Sequence, residues 1–332
     1  FDQDGFYGFG YDDYKRYDLM ANLNTDATDW LSFGFSAKYA NTFTDYPIGI
    51  TTVERRYIGN SLYSFGPIQP RYNPDGSEAN PLVRYLESSG RDKTFENDLL
   101  VTLKTELEPI EGWKTNISYN YNITETNQDV TSLPVWVALG NGTFGNIGKP
   151  SSAFESRLAH SPYSLFNVVT SYEKQFTNNF VKLLVGYEQE EQSYKALYGR
   201  KENLITESVP SISTALGTST LSDSRYDWAT QGFFGRLNYN FQEKYLLEVS
   251  ARYNGSSRFD PDSRWGFFPS ASVGYNISHE NFWAPIEPVV NSLKLRASYG
   301  SLGNQNVANY LYIPTINVNA ETPWIIGNAR PP

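Results

Sequence analysis

Trp30-Leu-Ser-Phe-Gly-Phe-Ser-Ala-Lys-Tyr39 places Leu31, Phe33, Phe35, Ala37 and Tyr39 at odd positions, with Ser32, Gly34, Ser36 and Lys38 between them. Successive side chains of a strand point to opposite faces, so the run is a ribbon with one apolar side and one polar side. Helical spacing would mix the two kinds on every face. The same pattern returns from Lys114 to Thr124, where Ile117, Tyr119, Tyr121 and Ile123 alternate with Asn116, Ser118, Asn120 and Asn122. It returns again from Tyr245 to Asn254, with Leu247, Val249, Ala251 and Tyr253 set against Glu248, Ser250, Arg252 and Asn254.

Reading outward from these runs gives ten expected strands, at 15–24, 30–41, 94–107, 113–124, 163–176, 180–192, 226–241, 245–254, 265–277 and 292–302. Short connections alternate with longer ones. The long connections are 42–93, 125–162 and 193–225, rich in Gly, Pro, Asn, Ser and Tyr. That asymmetry belongs to outer-membrane barrels, whose periplasmic turns are short and whose extracellular loops are long. Aromatic rings flank the short connections: Trp30, Trp113, Phe176, Phe180, Phe241, Tyr245 and Trp283. Amphipathic rings favour the headgroup level, so these residues are expected to form a membrane-interface girdle.

Composition narrows the function classes. The 332 residues hold 27 Lys plus Arg against 36 Asp plus Glu, a formal net charge of −9, which disfavours a nucleic-acid partner. There is no Cys, so thiol catalysis and Cys-type zinc sites are excluded. His160 and His279 are the only histidines, too few for a multi-histidine metal centre. No run of 18 apolar residues offers a transmembrane helix. The mean hydropathy of −0.49 does not argue against a membrane, because a membrane strand hides its apolar half in period two.

The motifs that could carry chemistry are weak. Gly140-Asn-Gly142-Thr-Phe-Gly145 has the spacing of a dinucleotide fingerprint, but Pro150 and the polar run beyond it deny the helix such a site needs. Glu188 and Glu190 share a strand face about 7 Å apart, a separation used by carboxylate pairs but equally usual on any polar face. His160-Ser161 is the place where a rim hydrolase would have to be sought, without a nucleophile elbow to support it. Asp2-Gln-Asp4-Gly5 and Asp260-Pro-Asp262 are oxygen-rich fragments that suit a loop Ca²⁺, though neither completes a calcium-loop pattern. No other cofactor is expected. Tyr46, Tyr63, Tyr72, Trp136 and Phe144 lie in the expected long loops, where aromatic faces can stack on sugars or peptide side chains; these are the candidate substrate-binding residues.

One stretch is more specific. Gly235-Arg-Leu-Asn-Tyr-Asn-Phe-Gln-Glu-Lys-Tyr-Leu-Leu-Glu248 continues through Ala251-Arg-Tyr-Asn-Gly-Ser-Ser-Arg-Phe259 to Arg264-Trp-Gly-Phe-Phe-Pro-Ser270. Leu293-Lys-Leu-Arg-Ala-Ser-Tyr-Gly300 and Leu302-Gly-Asn-Gln-Asn306 follow. Together these resemble the SusC/RagA family of TonB-dependent outer-membrane transporters of Bacteroidetes. The resemblance implies an all-β, transmembrane, antiparallel up-and-down barrel of about 22 strands, of which this chain supplies about ten. It implies that residues 1–332 are an internal segment of the barrel domain, with the plug domain and the C-terminal strands absent from it. It also implies a SusD-like surface lipoprotein, a TonB complex acting through the plug, outer-membrane lipid around the wall, and glycan or oligopeptide as cargo.

The expected function is therefore import of nutrient oligomers, without bond chemistry. Glu248, Arg236, Arg252 and Arg296 are expected to face the lumen, because charges there avoid hydrocarbon. Two readings from other classes compete: a self-contained outer-membrane protease or lipase with a rim site near His160, and a surface adhesion protein that binds with its long loops.

Overall fold

The computed structural model describes residues 2–4, 10–48, 72–74, 76, 81–138, 143–146 and 148–314. The strands in chain order are β1 (Asp2–Asp4), β2 (Asp13–Thr28), β3 (Leu31–Pro47), β4 (Gly90–Ile110), β5 (Trp113–Ser132), β6 (Trp136–Ala138), β7 (Phe144–Asn146) and β8 (Ala153–Phe176). They continue with β9 (Asn179–Glu202), β10 (Ser219–Phe241), β11 (Tyr245–Ser256), β12 (Trp265–Asn276) and β13 (Lys294–Gly300). Among the described residues one α-helix, α1 (Pro81–Ser88), stands before β4. Apart from the β6–β7 hairpin, the strands are hydrogen-bonded in chain order, and neighbours such as β2–β3, β3–β4, β4–β5 and β10–β11 are antiparallel. All ten expected strands are present.

The chain divides into two compact units, residues 1–172 with 190–227, and residues 173–189 with 228–332. In the first unit the registers align whole rows of side chains. Leu23 lies opposite Phe35, Phe35 opposite Leu103, Leu103 opposite Tyr119, and Tyr119 opposite Phe166. A second row runs Leu19, Tyr39, Leu99, Ile123, Pro162. Directly opposed residues share a face, so each row extends the apolar side across five strands. The face turns polar at Asn41, Asn97, Glu125 and His160, the next row out. From Trp113 to Ile123 the apolar stretch covers about 33 Å of strand, or about 25 Å of height at a ~40° tilt, which matches the apolar band of a membrane barrel.

The second unit repeats the arrangement. Leu237, Val249, Ala271 and Tyr299 form one row, and Tyr239, Leu247, Val273 and Ala297 another. The alternate positions form polar rows: Asn238, Glu248, Ser272 and Ser298, then Arg236, Ser250 and Ser270. Phe33 is 44% exposed and Val249 43%, so the rings and methyls that would fill a protein core are turned outward instead. An apolar face of this extent left uncovered by the chain has to be covered by something else.

Strand ends differ from the expected ones most on the long-connection side, while at the short turns β2 runs on to Thr28 and β4 to Ile110. β3 reaches Pro47, β4 starts at Gly90, β5 reaches Ser132, β8 starts at Ala153, and β9 reaches Glu202. Beyond the apolar band both faces are polar, as in Thr126-Asn-Gln-Asp129. The alternation that betrays a strand vanishes there while backbone pairing goes on. Tyr46 consequently lies in a strand, and the connections expected at 42–93, 125–162 and 193–225 contract to 48–89, 133–152 and 203–218.

A small apolar core sits at the outer end of the first unit. Val83 and Leu86 of α1, three residues apart on one helix face, are buried with Ile48, Val135, Val137 and Ala153. Gly90 starts β4 with φ +108°, and a Cβ there would collide with the Thr131 carbonyl, so only glycine allows this turn out of the helix.

The two-faced wall predicts unequal costs for one substitution at adjacent positions. Val249→Arg in the complete polypeptide is expected to destabilise the inserted barrel by about 2–4 kcal/mol, and Phe33→Arg likewise, as charges facing hydrocarbon near the midplane do. Ser250→Arg is expected to be tolerated. Heat-modifiability of the membrane-inserted protein on gels distinguishes them; equal damage at 249 and 250 contradicts the face assignment.

Candidate functional site

The polar face carries the chemistry. At the outer end of the first unit Glu155 of β8 accepts from the Tyr198 hydroxyl and from Arg200 Nε, both at 3.0 Å, and Arg200 Nη1 reaches Glu202 at 2.8 Å. Arg157, two residues on and on the same face, donates to the Tyr194 hydroxyl at 2.7 Å, and the Tyr194 ring stacks on Tyr226 at 4.9 Å. Gln128 donates to the buried Asp92 carboxylate at 3.0 Å, and Tyr163 donates to Glu190 at 2.7 Å. Even spacing along β9 puts Glu190, Tyr194, Tyr198 and Arg200 on one side, while Lys195 and Leu197 take the other.

In the second unit Arg252 is fixed on three sides. Its Nη2 donates to Glu188 at 2.7 Å, its Nε donates to Asn254 at 3.1 Å, and its guanidinium lies over the Phe234 ring at 5.2 Å. Phe234 can lie flat because Gly186 leaves the space; a Cβ there would collide with the ring. Glu248 accepts from Asn238 Nδ2 at 2.9 Å and stands 4.0 Å from Arg236. Arg296 falls on the same face by register, opposite Gly274 and one strand from Leu246. The four charged residues singled out in the sequence thus share one face. Glu248 and Arg236 form a pair, Arg252 belongs to a separate cluster, and Arg296 is exposed on β13.

The aromatic residues at the short turns fall into three situations. Trp30, Trp113, Phe176 and Tyr245 are exposed, with Trp113 Nε1 donating to Thr170 at 2.9 Å. Phe241, Tyr245 and Tyr275 stack in a ladder across three strands at 6.3 and 5.1 Å. Trp283 is tied to the Val290 carbonyl at 2.9 Å. Beside the ladder, hydrogen bonds from Lys244 and Tyr245 hold the Glu280 carboxyl below its ordinary range. Phe180 departs from the group: it lines the polar side with Asn238, Glu248 and Arg296, because its even position opposes that of Leu183 and Val185. A second aromatic level, Phe233, Tyr253 and Phe267 with Trp265 stacked on Tyr253 at 4.9 Å, closes the band at its far side. Its signal in the sequence is Tyr253, eight residues along β11 from Tyr245.

Among the loop aromatics, Trp136 and Phe144 share one face of the β6–β7 hairpin and are exposed, while Val137 on the other face is buried. Tyr46 stands on the polar side of β3 opposite Asp92, Tyr72 is exposed, and Tyr63 lies outside the described residues. The glycine motif supplies β7 at Phe144–Asn146, a strand where a dinucleotide site needs a helix start.

His160 is a strand residue, paired opposite Glu125 with Nδ1 and Oε1 3.4 Å apart on the outward face. Ser161 points to the opposite face, where Gln192 reaches it at 3.4 Å. Neighbours on a strand cannot converge, so the His–Ser pair a rim hydrolase requires does not form. Glu188 and Glu190 are each engaged by a neighbour, Arg252 and Tyr163. Asp260 Oδ1 accepts from the Asp262 backbone N–H at 3.0 Å, a local turn, and among the described residues no three carboxylate or imidazole ligands converge on a metal position.

Antiparallel strands with an apolar band on one face and fixed charges on the other, found in each unit, define a segment of a membrane β-barrel. Residues 51–329 match the family described as TonB dependent receptor-like, beta-barrel, and the chain belongs to that family, whose place is the bacterial outer membrane. The TonB-dependent receptor SusC of Bacteroides thetaiotaomicron is 25% identical over 335 residues, 93% of this chain and 32% of SusC. Two TonB-dependent receptors of Formosa agariphila are 25% and 27% identical over 313 residues, each match covering 89% of this chain and 30% of the relative. The chain therefore spans about a third of the length of these relatives. The RagAB peptide importer in its 'closed-closed' state superposes with a TM-score of 0.75 at 18% identity, over 99% of this chain and 36% of that one, and its 'open-open' state does so equally at 17%.

The glycine under Phe234 yields a paired expectation. Gly186→Ala overpacks the ring and is expected to cost about 1–3 kcal/mol. Gly235→Ala, where a Cβ would meet only ordinary contact at 3.6 Å with the Leu184 carbonyl, is expected to cost much less. The unfolding temperature of the two variants measures the difference.

Proposed function

We propose that the complete protein imports oligomeric nutrients, glycan or oligopeptide, across the outer membrane by a TonB-dependent route. Residues 1–332 are read as part of its barrel domain. The observation that supports this is the two-faced sheet in each unit: an apolar band, about the height of a bilayer in the first unit, on one face and polar rows rich in mutually fixed charges on the other. Such a polar face suits a passage. In this reading Glu248, Arg236, Arg252 and Arg296 line the lumen, and Trp30, Trp113, Phe176, Phe241, Tyr245 and Trp283 ride at headgroup level. Trp136 and Phe144 offer cargo an aromatic platform at the outer mouth. Family membership supports energy supply from a TonB complex acting through a plug. The likeness to a peptide importer and the relationship to SusC support capture together with a SusD-like lipoprotein.

Deleting the full-length gene tests the reading. Uptake of labelled oligosaccharides or oligopeptides as sole carbon source is expected to fall and to be restored by the wild-type gene. A Trp136→Ala/Phe144→Ala double variant is expected to weaken capture roughly tenfold, from two stacking contacts of about 0.5–1.5 kcal/mol each. Uptake of both cargo classes undiminished by the deletion overturns the proposal.

A further inference from the structure

Arg258 and Arg264 bracket the connection between β11 and β12. Arg258 Nη1 donates to the carbonyls of Gln305 and Val307 at 3.3 Å, and its guanidinium lies 4.8 Å from the Trp228 ring centre. Its Nε is buried and, among the described residues, finds no acceptor. The Nε of Arg264 is buried and unmatched in the same way. Buried donors of a charged group are costly to leave unmet and are rarely left so. Among the described residues neither arginine is paired with a carboxylate; Asp260 Oδ1 accepts from the Asp262 backbone N–H at 3.0 Å.

A cavity of about 280 Å³ opens beside Arg264, bounded by Asn254, Ser263, Phe268, Asn304 and Gln305. Phe268 gives it a flat apolar side, its ring filling the room left by Gly266 and Gly303, where an added Cβ would collide with it. Asn304 Oδ1 already accepts from the Asn306 N–H at 2.9 Å, which leaves its amide N–H groups to serve as donors. Arg264, two side-chain amides and an aromatic flank line this cavity, and the planar oxygen pair of a carboxylate is the acceptor that a guanidinium matches. The volume is small against the usual ~300–1,000 Å³ of ligand pockets, enough for one sugar acid or one acidic side chain.

We propose that this cavity is a carboxylate-binding site, with Arg264 as its charged receptor, Asn304 and Gln305 as supporting donors and Phe268 as the surface for the carbon skeleton. The proposal stands independently of import. The carboxylate has two sources: a soluble acid, or an Asp or Glu side chain of the complete polypeptide.

The test uses the complete polypeptide in detergent. Phenylglyoxal labelling of Arg264 is followed by peptide mass spectrometry, with Arg236 as the exposed reference. Glucuronate, at about ten times its dissociation constant, is expected to slow labelling of Arg264 roughly tenfold while glucose does not, if the site is open to soluble acids. If the chain fills its own site, glucuronate has no effect, and carbodiimide treatment of the conservative Arg264→Lys variant couples the introduced amine to an internal Asp or Glu. No protection by glucuronate together with no coupling in Arg264→Lys overturns the proposal.

Discussion

Backbone hydrogen bonding without water is the constraint on which the rest of the structure depends. Inside a bilayer every N–H and C=O must find a partner within the protein, at several kcal/mol for each one left alone. A strand satisfies this only with a neighbour on each side. The long registers that run without a break from Leu31 to Pro47 and from Gly90 to Leu107 are the direct outcome. Once strands are tied so closely, side chains have two faces left to choose from, and the choice between hydrocarbon and water is made at every position.

That choice explains where polar groups are spent. Within the band, charges such as Glu248 and Arg252 occupy even positions of β11, and their partners come from the same face: Asn238, Asn254 and Glu188. Above the band the distinction relaxes. The row Asn41, Asn97, Glu125 and His160 is polar on the outward face, and Tyr39 sends its hydroxyl up to Asn97 at 2.8 Å. A tyrosine at that height keeps its ring in the apolar layer and its hydroxyl in the wet one, as amphipathic rings do at an interface.

The same contrast sets what could be read from sequence. Leu31 to Tyr39 and Tyr245 to Asn254 were legible because each position sees one solvent or the other, so period two is written into residue type. Ser156 to His160 and Ser193 to Arg200 were not, because water lies on both sides and pairing leaves no compositional trace. Tyr194, Tyr198, Arg157 and Glu155, which form a polar cluster of the first unit, sit in those silent stretches. The place of Phe180 is hidden for a different reason. Nearness to a turn suggests a girdle residue, but face is decided by parity, and Phe180 has the parity of Gly186 and Glu188. The face of Glu248, Arg236, Arg252 and Arg296 followed from alternation alone; their partners did not, because cross-strand neighbours depend on register.

Rings on the polar face raise the question of why phenylalanine is tolerated beside water. Phe234 and Phe268 each lie flat in the space of a missing side chain, at Gly186 and at Gly266 with Gly303. Lying flat, each ring buries one side against backbone and exposes the other, where Arg252 covers Phe234. The glycine thus does not loosen the strand so much as create a socket, and the socket holds a guanidinium at a defined height above the wall. A polar face built only of flexible side chains would adapt to any contact. One that sets guanidinium groups on aromatic supports holds its charges in place before anything arrives, which lowers the ordering cost of whatever binds there.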